Sequence, residues 1–124
     1  MHILLKMDNK NAVIYARFSS SGQREESIEG QIRECRAYAV RMGYNIIGEY
    51  ADKAMTGTND RRPDFQRMIH DSAKGYFGTV ICWKHDRFAR NRYDAALYKA
   101  KLKANGVQIA YAMESVPEGA QGII

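Results

Sequence analysis

The sequence has little of what metal, thiol or membrane chemistry requires. It holds two cysteines, Cys35 and Cys82, in 124 residues, and neither a C-x-x-C nor an H-E-x-x-H spacing occurs. Each cysteine lies in an apolar-patterned segment, which reads as two buried free thiols and not as a bridge. The three histidines, His2, His70 and His85, are scattered, so no structural metal is expected. No apolar run approaches the roughly 20 residues of a membrane span. The opening MHILLKMDNKN is too short and wrongly flanked for a secretory signal, and the expected compartment is the cytoplasm. Gly30 and Gly57 belong to no phosphate-cradling motif of the G-x-x-x-x-G-K-[ST] kind. There is no internal repeat and no low-complexity linker.

What is present points to one folded domain with a modest core. Hydrophobic residues make up 45% and charged residues 27% of the chain, a globular and not a disordered balance. The formal net charge is +5 with an isoelectric point near 9.3. Such a surplus suits a polyanion such as DNA or RNA, and equally a basic solvated surface.

Strand-like and helix-like segments alternate. Residues 12–18 (AVIYARF) read as a buried strand. Residues 27–42 carry Ile28, Ile32, Cys35, Ala39 and Met42 at helical spacing, and Gly43 follows as the stop. Residues 45–50 (NIIGEY) form a second strand. A polar stretch over 52–63 (DKAMTGTNDRRP) is long for a connection and is a candidate functional loop. A helix over 64–73 turns Phe65, Met68 and Ile69 inward, and Gly75 and Gly78 break it. Residues 79–84 (TVICWK) are apolar enough for a central strand. After the polar loop HDRFARN comes a helix over 93–105, with Tyr93, Ala96, Leu97, Ala100 and Ala104 assigned to its inner face. Gly106 ends it, and residues 107–113 (VQIAYAM) make a fourth strand. The order βαβαβαβ predicts an α/β fold, mainly a parallel sheet with helices on both faces. Residues 1–11 read as an N-terminal tail and 12–124 as the domain.

In such sheets ligands gather at the carboxyl ends of strands, near a reversal of strand order. The first strand leads into Arg17 and the serines Ser19, Ser20 and Ser21. The second leads into Asp52 and the arginine loop, and the third into Lys84, Asp86, Arg87 and Arg90. Guanidiniums fork onto phosphate oxygens and stabilise the charge that builds during displacement at phosphorus. A serine hydroxyl attacking there forms a covalent phosphoserine. Each piece also has a plain reading. Serines after a strand are turn or cap residues, Asp86 is a helix N-cap, Asp60-Arg61-Arg62 is an exposed turn, and Lys99, Lys101 and Lys103 are a wet helix face or a DNA-backbone footprint. Spacing alone does not choose among the three serines.

The motifs together resemble the serine recombinases, the resolvase/invertase family. Tyr15-Ala16-Arg17-Phe18-Ser19 is similar to the family's Y-A-R-x-S. Ser27-Ile28-Glu29-Gly30-Gln31 resembles the S-x-x-x-Q that follows it, particularly in the large serine recombinases of phages and mobile elements. Asp52-Lys53-Ala54 with Gly57 and then Arg61-Arg62-Pro63 resembles the next loop, and Asp86-Arg87-Phe88-Ala89-Arg90 the D-R-x-x-R. The resemblance implies Ser19 as nucleophile, Arg17, Arg87 and Arg90 around the scissile phosphate, and Asp86 beside them to orient an arginine or help protonate the leaving oxygen. It implies Arg61 as an assisting arginine, with Arg62 adjacent, and Gln23 and Gln31 as supports. Tyr15 and Asp52 stand behind these. It further implies double-stranded DNA sites as partners, a dimer-to-tetramer assembly in synapsis and no cofactor, since the phosphoserine bond conserves the energy for religation. The family's catalytic domain runs on into a long dimerisation helix and DNA-binding domains. The chain ending at Ile124 is therefore expected to be a truncated catalytic core, not competent by itself for full recombination. The alternative is a non-catalytic nucleic-acid-binding or assembly module on the same scaffold.

Overall fold

The computed structural model describes residues 9–18, 27–53, 62–89 and 92–113. The elements run β1 (Asn11–Arg17), α1 (Ile28–Met42), β2 (Asn45–Asp52), α2 (Pro63–Asp71), β3 (Thr79–Cys82), α3 (Arg92–Ala104) and β4 (Gln108–Tyr111). Short 3-10 turns lie at Ser72–Lys74 and His85–Arg87. All strand pairs are parallel, in the order β2-β1-β3-β4. The expected α/β fold with a parallel sheet is therefore observed, and β1 and β3, the most apolar strands, are its central pair.

Period-two alternation sorts the core into two layers. Val13 and Tyr15 of β1, Val80 and Cys82 of β3, and Tyr50 of β2 face one side, where Phe65 and Met68 of α2 and Leu102 of α3 cover them. Ala12, Ile14 and Ile81 face the other, under Cys35 and Ala39 of α1. One helix thus covers one face and two helices the other. Both cysteines are buried free thiols, as the apolar patterning predicts. Phe65 is the hub of the larger layer, edge-on to Tyr15, Phe88 and Tyr98 at centroid distances of 5.2, 5.3 and 5.0 Å. Such edge-to-face pairs add to the stabilisation from area burial.

Helix ends follow local chemistry. Ser27 caps α1, its Oγ accepting from Gly30 N at 3.0 Å. Gly43 closes the helix in the left-handed region at φ 82°, which costs a residue without Cβ little.

Three expectations need correction. On α3, Tyr93 is 76% exposed and Leu97 41%, while Leu102 is fully buried and Ala95 and Tyr98 pack on the core. The expected stripe was weighted by three alanines, which bury little area. The two large residues Tyr98 and Leu102, one turn apart, set the rotation instead. On α1, Met42, the last residue of the helix, is 51% exposed. The loop after β3 is not simply polar: Arg87, Phe88 and Ala89 are buried, and Phe88 completes the cluster around Phe65.

Candidate active site

The order β2-β1-β3-β4 means that the chain winds to one side of β1 and then to the other. This reversal opens a crevice outside the carboxyl ends of β1 and β3. Arg17 closes β1 there, and the segment Trp83–Phe88 follows β3.

Arg17 is held by its backbone. Gln31, wholly buried in the first turn of α1, accepts from Arg17 N through Oε1 at 3.2 Å and donates from Nε2 to Arg17 O at 2.9 Å. The amide takes the place of a neighbouring strand where β3 has already turned away. The Ser27 cap, by fixing the start of α1, fixes Gln31. The Arg17 side chain crosses the crevice and donates from Nη2 to the backbone carbonyl of Asp86. Its Nε is buried without a hydrogen-bond partner. A buried donor left unpaired costs about 1–3 kcal/mol, so an acceptor arriving here is favoured.

Arg87 comes from the other side. Only 1% exposed, it donates from Nη1 to Asp86 Oδ1 at 2.8 Å. Its guanidinium lies 5.3 Å from the centre of the Trp83 ring, and Lys84 Nζ lies 4.7 Å from the same ring. Burial, and then the charge of Arg17, push the Arg87 pKa down from its ordinary value. Two guanidiniums therefore meet at one residue, Asp86, whose side chain is 57% exposed. The arrangement favours a further anion with forked acceptor oxygens, the chemistry of a phosphate.

Beneath this pair lies a second polar network. Asp52 Oδ2 accepts from Tyr15 Oη at 2.6 Å and from Phe65 N at 3.0 Å, and Oδ1 accepts from Asp64 N at 2.9 Å. Arg62, at the N-cap of α2, supplies no side-chain cap, so Asp52 caps the helix from β2. Asp64 returns the bond, its Oδ2 accepting from Ala51 N at 3.0 Å. Burial and the Asp52 bond push the Tyr15 phenol far up, which keeps it a donor. Tyr15 and Asp52 thus seat α2 and do not face the crevice edge.

The structure brings together Arg17, Gln31, Asp86 and Arg87, with Tyr15 and Asp52 behind them. Ser19, Gln23, Arg61 and Arg90 lie outside the described residues. Two plain readings fail. Asp86 is not a helix N-cap but part of the 3-10 turn His85–Arg87, with α3 starting only at Arg92. Arg62 is not in an exposed turn: it is 6% exposed, donates from Nη1 to Phe88 O at 2.9 Å, and stacks 3.9 Å from the Phe65 ring centre. Two features escaped the sequence reading: the burial of Arg62, named there only as the neighbour of Arg61, and the place of Trp83 beside Arg87. Pro63 signalled the first, since proline at a helix start places the preceding residue at the N-cap. The second concerns the chain's only tryptophan, at a strand end beside Lys84. Among the described residues, no three of His, Cys, Asp and Glu gather as metal ligands, and no helix is long and apolar enough to cross a membrane.

Residues 12–121 match the family model described as Resolvase, N terminal domain. A search of curated sequences gave no significant match. Among solved structures, the N-terminal catalytic domain of TP901-1 integrase is 32% identical, with a TM-score of 0.72 over 86% of this chain and 79% of that one. A resolvase family site-specific recombinase from Streptococcus pneumoniae is also 32% identical, with a TM-score of 0.72 over 82% of this chain and 71% of that one. The C-terminal catalytic domain of ISC1926 TnpA, an IS607-like serine recombinase, is 28% identical, with a TM-score of 0.69 over 90% of this chain and 75% of that one.

Proposed function

Because the chain belongs to the resolvase family of serine recombinases, we propose that residues 12–124 are the catalytic core of a site-specific DNA recombinase with Ser19 as its nucleophile. The observation that carries this reading is the meeting of Arg17 and Arg87 at Asp86, at the strand reversal and two residues from Ser19 along the chain. In the reaction, Ser19 Oγ attacks the phosphorus of a DNA phosphodiester and loses its proton. The bond from phosphorus to the 3′ oxygen breaks, and that oxygen takes up a proton. The products are a 5′-phosphoserine and a free 3′ hydroxyl, and attack by a 3′ hydroxyl on the phosphoserine reverses the step after strand exchange.

The arginines serve the phosphate. Arg87 and Arg17 neutralise the equatorial oxygens, where charge accumulates, from a rigid and largely desolvated position. Gln31 holds Arg17 in place through its backbone, and Tyr15 with Asp52 holds α2. Arg90 and Arg61 are assigned to the same phosphate and Gln23 to support of the site. Asp86 orients Arg87 and stands ready to protonate the leaving oxygen. Double-stranded DNA is the substrate and the assembly in synapsis is a dimer to tetramer, working in the cytoplasm without a cofactor.

The test is a nicked suicide substrate incubated with the full-length protein. A covalent protein–DNA adduct is expected, absent in Ser19→Ala and strongly reduced in Arg87→Ala. An adduct that persists in Ser19→Ala overturns the assignment of the nucleophile.

A further inference from the structure

Two guanidiniums, one from the end of β1 and one from the N-cap of α2, hold the turn that carries Arg87. Arg17 donates to the carbonyl of Asp86 on one side of Arg87, and Arg62 donates from Nη1 to the carbonyl of Phe88 on the other, at 2.9 Å. Inside the turn only two backbone bonds close it, Arg87 N to Lys84 O at 2.9 Å and Phe88 N to His85 O at 3.1 Å. So short a turn has few bonds to keep its shape, and the outer staples decide it.

Arg62 is itself over-determined. Its backbone is left-handed, at φ 51° and ψ 66°, the one non-glycine residue with positive φ among those described. Such a conformation persists where surrounding contacts impose it. Pro63 fixes the following turn of α2, whose first amides are held by Asp52. The Arg62 guanidinium is pressed on the Phe65 ring at 3.9 Å, and Phe65 packs on Phe88. Arg62 thus ties α2 to the Phe88 end of the turn through both its polar head and its ring contact. No carboxylate pairs with it among the described residues. Its Nη1 is committed to the Phe88 carbonyl, and only 6% of the residue is exposed.

From this geometry we infer that Arg62 is a positioning residue for Arg87: a latch that fixes the Asp86–Phe88 turn and acts on the phosphate only through that turn. The inference rests on the recombinase reading above and separates the roles of two adjacent arginines. Arg61 is assigned to the phosphate and Arg62 to the turn.

The experiment uses the full-length protein with Arg62→Met, which keeps an unbranched stem against Phe65 but removes the donors and the charge. Three quantities are read: the rate of covalent adduct formation, the salt dependence of DNA binding in a Ser19→Ala background, and amide hydrogen exchange at Arg87 and Phe88. The latch predicts a cleavage rate lower by about 10- to 100-fold, the scale set by a misplacement near 1 Å. It predicts an unchanged slope of log K against log salt, and exchange at the two amides faster by at least tenfold. A slope smaller by about one, the signature of a lost phosphate contact, overturns it. So does an unchanged cleavage rate, or unchanged exchange at Arg87 and Phe88. Should Arg62→Met not fold, Arg62→Gly, which suits the left-handed backbone, carries the same three readings. Failure of the recombinase reading is distinct, because it leaves either no adduct with the wild-type protein or an adduct in Ser19→Ala, whatever Arg62 does.

Discussion

Replacing Asp52 by asparagine probes the network that seats α2 against the sheet. The carboxylate accepts three bonds, one at Oδ1 from Asp64 N and two at Oδ2 from Tyr15 Oη and Phe65 N. Asparagine offers one acceptor oxygen. Its best placement keeps that oxygen at the Oδ2 position and sets the amide NH2 against the N–H of Asp64, donor facing donor. One charge-assisted bond is then lost, about 1.5–3 kcal/mol. The negative charge at the start of α2 goes with it, a further loss of about 0.3–1 kcal/mol. Asp52 is only 5% exposed, so solvent repairs little of this. A destabilisation of about 2–4 kcal/mol follows, a drop in Tm of about 8–15 °C for a chain of 124 residues. Urea unfolding of wild type and Asp52→Asn measures it, with hydrogen exchange at Asp64 and Phe65 to locate the loss. Tyr15→Phe, which removes one of the three donors, should cost less than Asp52→Asn. A change below about 0.5 kcal/mol in Asp52→Asn would refute the reasoning.

Further outcomes follow from the same structure. Leu102→Ala should destabilise by about 2–5 kcal/mol and Leu97→Ala by under about 1 kcal/mol, because only Leu102 is fully buried; equal costs would place α3 in the other rotation. Burial, and then the charge of Glu34, push the Cys35 thiol up to about 12, and burial pushes Cys82 up strongly. Neither thiol should react with a disulfide reagent at pH 8 until the protein is unfolded, and fast labelling of the native state would contradict this. Burial and the bond to Asp71 push the Tyr50 phenol up to about 12 from 10.0. A raised folded-state pKa stabilises below the unfolded value and the contribution is lost as pH climbs through the folded one. Stability should therefore fall between pH 10 and 12, and Tyr50→Phe should flatten that fall in denaturant titrations across this range.

Much of the fold was legible because it rests on short-range pattern. The continuous apolar runs in AVIYARF and TVICWK, with glycine stops at Gly43 and Gly106, were enough to predict the strand–helix order and a central β3. What failed was decided at longer range. The rotation of α3 depends on Tyr98 meeting Phe65 from another helix, and alanines do not announce which side buries them. The site was legible in part, since Arg17, Asp86 and Arg87 stand at carboxyl ends that a parallel sheet must bring to one edge. Gln31 was singled out by its motif, but its bidentate hold on the Arg17 backbone depends on how α1 packs. The burial of Arg62 was hidden because arginine in a polar stretch is ordinarily solvated. Its burial requires Phe65 beneath it and the Phe88 carbonyl beside it, partners 3 and 26 positions away.

The central claim concerns one hydroxyl among three adjacent serines, and peptide mapping of the trapped adduct tests it most directly. The full-length protein is reacted with a nicked substrate, the DNA is trimmed by nuclease, and the modified peptide is sequenced by mass spectrometry. The predicted result is a nucleotide joined through its 5′ phosphate to Ser19. A nucleotide on Ser20, Ser21 or a tyrosine, or one joined through a 3′ phosphate, would contradict it.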